Sequence, residues 1–470
     1  MPIRSYEDAL AFWFGRINYE QTGMPNDLRA LKLERMQALL ARLGQPQQRL
    51  RIVHIAGSKG KGSTAAMLAS VLQAAGYRTG LFTSPHLCRV EERVQINGQA
   101  ITPSELTQLM REIETACTSV EAAGHGPPTF FEIITALGWL HFERRRVEWA
   151  VIEVGLGGRF DSTNVCRPRV AVITSISLDH VQQLGPTLAH IAREKAGIIK
   201  PGIPVISGVT DPEPAQVIRD IAQHQHALLR ELGTHFDFEY FPGRYTPETW
   251  YWPRLRYTTR KAPMASYNGS WAAARDYTLN LWGRHQAANA AVALAVVDCL
   301  REQGVLIPET ALVEGLRSVR WPARVEVVRD RPLTILDCAH NRASMAALVQ
   351  TLRDSFTWRR LLVILGCSRD KDIPGMLAEL APVVDAIYFT RYSASPRAVD
   401  PHELAQHWPG HAPCYVYPSP EQAWKAASSA AEANDLICIT GSVFLAGELR
   451  PIIAPASLAT RPAATEPAQT

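Results

Sequence analysis

What this chain lacks narrows its class before any motif is read. No apolar run is long enough for a membrane span: residues 287–300 are the most apolar helical segment, they are interrupted by Asp298, and they fall short of the ~18 residues required. No CxxC pair and no zinc-type Cys/His spacing is present. The eight cysteines (Cys88, Cys117, Cys166, Cys299, Cys338, Cys367, Cys414 and Cys438) are scattered, which predicts reduced thiols in a cytosolic protein. Strong charge of one sign is also missing. A net charge of +4 argues against a dedicated nucleic-acid binder while suiting phosphate and carboxylate ligands. Residues 1–15 carry Glu7 and Asp8 ahead of a short apolar stretch, unlike a signal peptide. A soluble, cytoplasmic protein that engages neither nucleic acid nor membrane is expected.

What is there is an ordinary globular composition on a long chain. Hydrophobic residues make up 46% and charged residues 20% of 470, which predicts more than one domain, each with a core large enough to need no staples. Residues 26–43 place Leu, Met and Ala at helical spacing. Residues 50–55 read as a strand, 57–62 as a glycine-rich loop, and 63–75 as an Ala-rich helix closed by Gly76. That order is the one a phosphate-binding βαβ unit needs. Further buried strands are predicted at 149–154 and 170–176. Ligands in open α/β sheets bind beyond the carboxyl ends of the strands, so Gly57, Glu153 and residues 175–180 are expected along one rim.

The character changes at 233–260, where Tyr, Phe, Trp, Thr and Pro alternate as antiparallel strands or an irregular insertion would. A helix over 284–302 is expected to close the first domain, with 303–308 as the connection. Strands recur at 334–337, 361–365, 386–390 and 436–440 between helical stretches, a second and smaller α/β domain. The expected fold is therefore α/β: a P-loop NTPase-like domain with a mostly parallel sheet (1–302, with a β-rich insertion near 233–280), then a Rossmann-like domain (303–450). Residues 451–470, rich in Pro, Ala and Thr, read as a disordered tail. No internal repeat is visible.

The glycine loop carries the first chemistry. Gly57-Ser58-Lys59-Gly60-Lys61-Gly62-Ser63-Thr64 approaches a Walker A loop without matching it fully. Its glycines let backbone N–H groups turn towards an anion, and the following helix adds its positive end. Lys61 can then reach the β/γ-phosphates, with the Ser63 or Thr64 hydroxyl close by. The plainer alternative is a tight turn with two solvated lysines.

Around this loop the sequence resembles the folylpolyglutamate synthase and dihydrofolate synthase family, relatives of the Mur ligases. His54-Ile55-Ala56-Gly57-Ser58-Lys59-Gly60-Lys61-Gly62-Ser63 is similar to the family's HVAGTNGKGS. Thr83-Ser84-Pro85-His86-Leu87 with Glu92-Arg93 resembles TSPHL…ER, and Thr129-Phe130-Phe131-Glu132 its TFFE box. Residues 153–164 (EVGLGGRFDSTN) are close to EVGLGGRLDATN. Asp179-His180 and the Arg193-Glu194-Lys195-Ala196-Gly197 segment follow in order. Trp321-Pro322-Ala323-Arg324, Asp337-Cys338-Ala339-His340-Asn341 and Thr440-Gly441-Ser442 complete the set. Only the aromatic insertion and the termini fall outside the match.

The resemblance implies an ATP-dependent ligase that adds L-glutamate to dihydropteroate, to the glutamate tail of folates, or to both, through an acyl phosphate. It implies ATP binding by Ser58, Lys59, Gly60, Lys61, Gly62, Ser63, Asn289, Arg324 and Asp337. Two Mg²⁺ ions would be held by Ser84, Glu153, His180 and a carbamylated Lys195, with room for a monovalent cation. Pteroate would lie against Thr129, Phe130, Phe131, Glu132, Arg159, Phe160 and Asp161, and glutamate against Asp337, His340 and Ser442. Lys61, Lys195, His180, Asp337 and His340 would serve catalysis. A monomer working on small molecules is expected, with the two domains closing over the site to keep water from the acyl phosphate.

The chemistry suits these residues. A carboxylate attacking ATP brings anions together, so hard cations must neutralise the transferring phosphoryl oxygens. A carboxylate at the end of a buried strand needs a cationic partner, which for Glu153 is a metal or else a base such as Arg159. Ser84 could be a turn cap, Lys195 a plain lysine paired with Glu194 or a phosphate, the Phe130 and Phe131 rings core, Asn289 part of a helix cap, and His340 a loop histidine. Another Mur-type ligase acting on a different acid is the nearest rival; a nucleotide switch is a weaker one, since no NKxD segment is present. Four positions depart from the family pattern: Ser58-Lys59 for Thr-Asn, which adds a positive charge beside the phosphates, Ala323 for Gly, Cys338 for Gly or Val, and Arg342 for Pro.

Overall fold

The computed structural model describes residues 3–22, 31, 33–246, 249–260 and 274–454. They fall into two compact units. One takes the described residues of Met1–Glu239, Arg256–Tyr277 and Ala288–Val319, the other those of Tyr240–Leu255, Thr278–Ala287 and Arg320–Thr470. No helix among the described residues is long and apolar enough to cross a membrane.

The first unit is built on an eight-stranded sheet. Its strands are β1 (Arg51–Ala56), β2 (Thr79–Phe82), β3 (Val94–Ile96), β4 (Gln99–Ala100), β5 (Trp149–Glu153), β6 (Val170–Ile173), β7 (Val205–Ser207) and β8 (Leu229–Glu231), in the order β4-β3-β2-β5-β1-β6-β7-β8. From β2 to β8 the neighbours are parallel, and only the edge pairs β2–β3 and β3–β4 are antiparallel. The central strands β5 and β6 are buried throughout, which is why their sequences are unbroken apolar runs rather than alternations. In register, Ile55 lies beside Glu153 and Ala56 beside Ile173, so β1, β5 and β6 end on one rim.

Five short strands follow: β9 (Phe236–Phe241), β10 (Arg244–Tyr245), β11 (Trp250–Tyr251), β12 (Arg254–Thr259) and β13 (Arg275–Thr278). β10 and β11 pair antiparallel, while β13, β12 and β9 form a three-stranded sheet. The aromatic alternation at 233–260 is thus strand, as patterning suggested. Within the expected insertion, residues 247–248 and 261–273 lie outside the described residues.

The second unit carries β14 (Glu326–Asp330), β15 (Leu333–Leu336), β16 (Leu361–Leu365), β17 (Ala386–Phe389), β18 (Cys414–Val416) and β19 (Leu436–Thr440), in the order β14-β15-β19-β16-β17-β18. All neighbours are parallel except β14–β15. The last strand in sequence returns to the middle, so the residues after β15, β19 and β16 share one rim. The two sheets are the mostly parallel and Rossmann-like α/β architectures that the strand pattern predicts.

Helix boundaries were less legible. The amphipathic stretch at 26–43 is helical over Leu33–Arg42; residues 23–30 and 32 lie outside the described residues. The expected connection at 303–308 is followed by a helix, Glu309–Ser318, that packs on the helix after the glycine loop. A Cβ at Gly315 would fall 2.5 Å from the α-carbon of Val71, and Ser70 Oγ donates to the Gly315 carbonyl at 2.7 Å. The expected tail from 451 begins inside a helix, Val443–Ile453; residues 455–470 lie outside the described residues.

Candidate active site

The glycine loop takes its shape from conformations only glycine tolerates. Gly60 (φ +84°) precedes the helix Lys61–Ala74, which starts two residues earlier than its apolar pattern indicated. Its missing Cβ matters twice, because a methyl there would approach Asn289 Oδ1 to 2.1 Å. Asn289 therefore sits directly on the loop, 229 residues away in sequence. At Gly57 a Cβ would meet Thr174 Oγ1 at 1.9 Å.

Residues 174–179, after β6, clip this loop in place. Ser58 N–H donates to the Ser175 carbonyl at 2.7 Å, and Lys59 N–H to Ser175 Oγ at 3.0 Å. Thr174 Oγ1 donates to the Lys59 carbonyl at 2.6 Å. Ser177 N–H donates to Ser58 Oγ at 3.0 Å. The extra positive charge of Lys59 does not stand alone beside the loop, as its sequence suggested. Lys59 Nζ is paired with Asp179 Oδ2 at 2.7 Å, and the neighbouring His180 Nε2 lies 3.8 Å from Asp179 Oδ1.

Four of the expected site residues meet on the other side of the loop. Lys61 Nζ donates to the Gly57 carbonyl at 3.1 Å, and Lys195 Nζ donates to the same oxygen at 3.0 Å. Lys61 Nζ is also 3.9 Å from Glu153 Oε1. Ser84 N–H donates to Glu153 Oε2 at 3.3 Å. Glu153 and Lys195 are both buried. Burial, reinforced by the charge of Lys61, pushes the Lys195 amine down to about 7, where a neutral, nucleophilic form is accessible. His180 is more exposed than these and adopts a left-handed backbone (φ +51°). Among the described residues, no three His, Cys, Asp or Glu side chains group as a metal site. An ion here would need the Ser84 hydroxyl and a modified Lys195 besides Glu153 and His180.

The segment 155–164 packs on the helix carrying Lys195 through glycines. A Cβ at Gly158 would crowd the Glu194 and Lys195 carbonyls, at 2.9 and 2.8 Å, and one at Gly197 would strike Arg159 Cβ at 2.4 Å. Arg159 is exposed, with its guanidinium 5.1 Å from the Phe160 ring centre. Asp161, by contrast, is buried and accepts from Leu156 N–H at 2.9 Å and Thr163 N–H at 3.0 Å. These bonds hold the 155–164 loop in shape.

In the TFFE box the four side chains divide between helix cap, core and partly exposed surface. Thr129 and Glu132 form a reciprocal capping box on the helix Phe130–Arg144, as spacing of this kind does. Phe130 is in the core, stacked on Trp13 with ring centres 4.7 Å apart, so a sandwich by both rings does not form. Phe131 is the partly exposed one, and its ring lies where a Cβ on Gly155 would be, 2.4 Å from Cζ. The Glu132 carboxylate is already engaged, by Thr129 N–H at 2.7 Å and by Arg35 Nε at 2.8 and 3.0 Å.

Sequence spacing also missed a buried arginine. Arg93 pairs with Glu20 through two bonds of 2.7 and 2.6 Å, donates from Nε to His86 Nδ1 at 2.9 Å, and lies 5.3 Å from the Phe130 ring centre. It ties the Ser84 loop, the TFFE helix and the chain before β1 together. Glu92 holds the turn beside it by accepting from the N–H groups of Leu87, Cys88 and Arg89. Nothing in the local pattern signals partners 73 residues apart.

In the second unit, the expected residues gather at the carboxyl rim. Asp337, just after β15, is buried and accepts from Val325 N–H at 3.0 Å and Ala339 N–H at 2.7 Å. Burial raises its pKa, partly offset by Arg324. His340 Nδ1 is 2.8 Å from the Cys338 carbonyl. A carbonyl can only accept, so Nδ1 carries the hydrogen and Nε2 of the neutral ring keeps a lone pair. Ser442, after β19, caps the helix Val443–Ile453 through Phe444 N–H at 3.1 Å. Ala323, in place of the usual glycine, has φ +54°. Arg342, in place of proline, pairs on the surface with Glu379 at 2.9 Å.

Comparison with known proteins agrees with this geometry. Residues 55–297 match the Mur ligase middle domain and residues 323–443 the Mur ligase glutamate ligase domain. The chain is 35% identical over 458 residues to the dihydrofolate synthase/folylpolyglutamate synthase of Bacillus subtilis, covering 95% of this chain and 98% of that protein. It is 34% identical over 423 residues to the Escherichia coli enzyme of the same name, covering 90% and 91%. Among solved structures, E. coli FolC in complex with DHPP and ADP superposes with a TM-score of 0.81 at 32% identity, over 96% of this chain and 98% of that one. Mycobacterium tuberculosis folylpolyglutamate synthase complexed with ADP gives 0.83 at 32%, over 97% and 99%. Two Mur ligase domains in order, a glycine loop with its lysines, and relatives spanning nine-tenths or more of the chain lead to one conclusion: the protein is an ATP-dependent ligase and belongs to the folylpolyglutamate synthase/dihydrofolate synthase family.

Proposed function

We propose that this ligase joins the amine of L-glutamate to the carboxylate of dihydropteroate, to the glutamate tail of a folate, or to both, through an acyl phosphate. The observation that carries the reading is the convergence of Lys61 and Lys195 on the Gly57 carbonyl, with Glu153 beside Lys61 and Ser84 beside Glu153. That constellation offers cations and hard oxygen donors where a terminal phosphate and an organic acid would have to meet. The names and ADP- and DHPP-bound structures of the relatives support the substrate class.

In this reading the substrate carboxylate attacks the γ-phosphorus of ATP and ADP leaves. Lys61 pairs with the γ-phosphate oxygens, and Asn289 lies against the nucleotide beside Gly60. The donor set fits Mg²⁺ through its oxygens, since a buried carboxylate, a hydroxyl and a carbamate oxygen are ligands of the kind a hard cation takes, with the His180 imidazole as the one nitrogen beside them. Glu153, Ser84, His180 and carbamylated Lys195 would hold it, and when bound it would neutralise the charge developing on the transferred phosphoryl group. Phe131, Arg159 and Phe160 would hold the acid, Arg159 by charge and the rings by apolar contact. Glutamate's amine then attacks the acyl carbon, the C–O bond to phosphate breaks, and the amine gives up a proton. His340, a base of near-neutral kind after β15, would take that proton. Asp337 and Arg324 would bear on the nucleotide, and Ser442 on the amino acid. The reading also takes the protein to be a cytoplasmic monomer.

Purified protein offered dihydropteroate or tetrahydrofolate, each with ATP, magnesium and glutamate, tests this by product mass. A gain of one glutamyl residue in either acid supports the reading. ATP hydrolysis without either product would end it.

A further inference from the structure

A buried histidine three residues before the glycine loop takes no part in the chemistry above. His54 lies inside β1 with none of its surface exposed, in a strand otherwise built mainly of apolar residues. Its Nε2 is 2.9 Å from Thr163 Oγ1, while its Nδ1 is buried with no hydrogen-bond partner among the described residues. An orphaned ring nitrogen in a core is expensive, so the other nitrogen should hold something that matters. Thr163 Oγ1 is in turn 2.5 Å from Asp161 Oδ1. Asp161 already accepts backbone N–H groups from Thr163 on that oxygen and from Leu156 on the other. A hydroxyl has one hydrogen; it goes to the carboxylate, and its lone pair must then accept from His54. That fixes the tautomer: Nε2 carries the hydrogen and Nδ1 is bare.

We propose that His54 is a positioning residue for the organic acid, holding the 155–161 loop through the relay His54–Thr163–Asp161. The loop closed by Asp161 presents Arg159 and Phe160, and its Gly155 lies against Phe131. The relay thus joins the strand that enters the nucleotide loop to the segment beside the acid. It acts on the acid side only, because the nucleotide loop is clipped separately by Thr174, Ser175 and Ser177.

The kinetic consequence rests on the proposed function; the tie itself does not, and the experiment separates them. Amide hydrogen exchange is followed in wild type, His54→Leu, which removes the donor, and His54→Gln, whose side-chain amide can supply an N–H near the Nε2 position. In H54L, exchange in 155–164 should quicken about tenfold, the loss of roughly one hydrogen bond, with 57–63 unchanged and with protection largely restored in H54Q. Unaltered protection of 155–164 in H54L overturns the proposal. KM for the acid should rise about tenfold in H54L while KM for ATP stays within about twofold; a parallel rise in both overturns the positioning role. Should H54L fail to fold, Thr163→Val against Thr163→Ser makes the same comparison, since only serine keeps the hydroxyl. A tautomer with hydrogen on Nδ1, read from ¹⁵N shifts of labelled histidine, also overturns it. If wild type makes no glutamyl product, the functional reading fails, and exchange still judges the relay.

Discussion

Lys61 and Lys195 aim their ammonium groups at a single acceptor, the Gly57 carbonyl, at 3.1 and 3.0 Å. Two cations share one oxygen beside one buried carboxylate, Glu153. With Lys195 protonated the loop carries more positive than negative charge, whereas as a carbamate Lys195 would instead supply an anionic oxygen to a metal ion. Burial first, and the charge of Lys61 after it, depress Lys195.

With its amine held down at about 7, Lys195 is mostly neutral at pH 8 and mostly protonated at pH 6. Only the neutral amine can take up CO₂ to become a carbamate, releasing a proton. Activity measured in CO₂-free buffer should therefore fall and return on adding bicarbonate, and the return should be weaker at pH 6 than at pH 8. Lys195→Met should abolish the bicarbonate response. Activity indifferent to CO₂ would leave Lys195 as a plain cation.

Gly60→Ala should damage nucleotide binding more than any loop substitution that leaves φ free. The new methyl enters a left-handed position, costing roughly 1–2 kcal/mol, and collides with Asn289 Oδ1, which a Cβ would approach to 2.1 Å. Calorimetric ADP binding should weaken by at least about tenfold, as ~1.4 kcal/mol implies. Unchanged affinity would mean that Asn289 does not define the nucleotide side of the loop.

Ala323→Gly should stabilise the protein. Alanine there is held at φ +54°, a strain of roughly 1–2 kcal/mol that glycine lacks, offset by roughly 0.4–1 kcal/mol of extra freedom in the unfolded chain. A net gain of up to about 1.6 kcal/mol in urea denaturation is expected.

Stability should fall between pH 8 and pH 5. Burial holds His54 at about 3 and His141 at about 4. Each favours the neutral ring, so its contribution is complete above the unfolded value of ~6.5 and is lost as pH drops towards the folded one. At pH 5 the loss is about 2 kcal/mol for each. Denaturant midpoints across this range check it, and because His86 and His285 are held at about 4 as well, His54→Gln should remove only about a quarter of the fall.

Much of this could be read from the chain because strands buried on both faces write themselves as apolar runs. β1, β5, β6, β15, β16 and β19 were all visible in that way, as were the glycine loop and the residues that follow it. What stayed hidden depended on partners far apart in sequence. Phe130 and Phe131 are adjacent and chemically alike, yet Trp13 claims the first for the core. Glu132 looks like a free carboxylate until Arg35 meets it. Lys59 looks like an added charge until Asp179 neutralises it. The strain at Ala323 was equally silent, since only the backbone angle distinguishes it from an ordinary loop alanine.

The central claim is that the acid is phosphorylated before glutamate attacks, and oxygen isotope transfer tests it most directly. Dihydropteroate or tetrahydrofolate carrying ¹⁸O in its carboxylate is turned over with ATP and glutamate, and the phosphate released is analysed by mass. An acyl phosphate puts one ¹⁸O into each phosphate formed, because the carboxylate oxygen leaves with the phosphorus. Unlabelled phosphate, formed alongside the glutamyl product, would contradict the account.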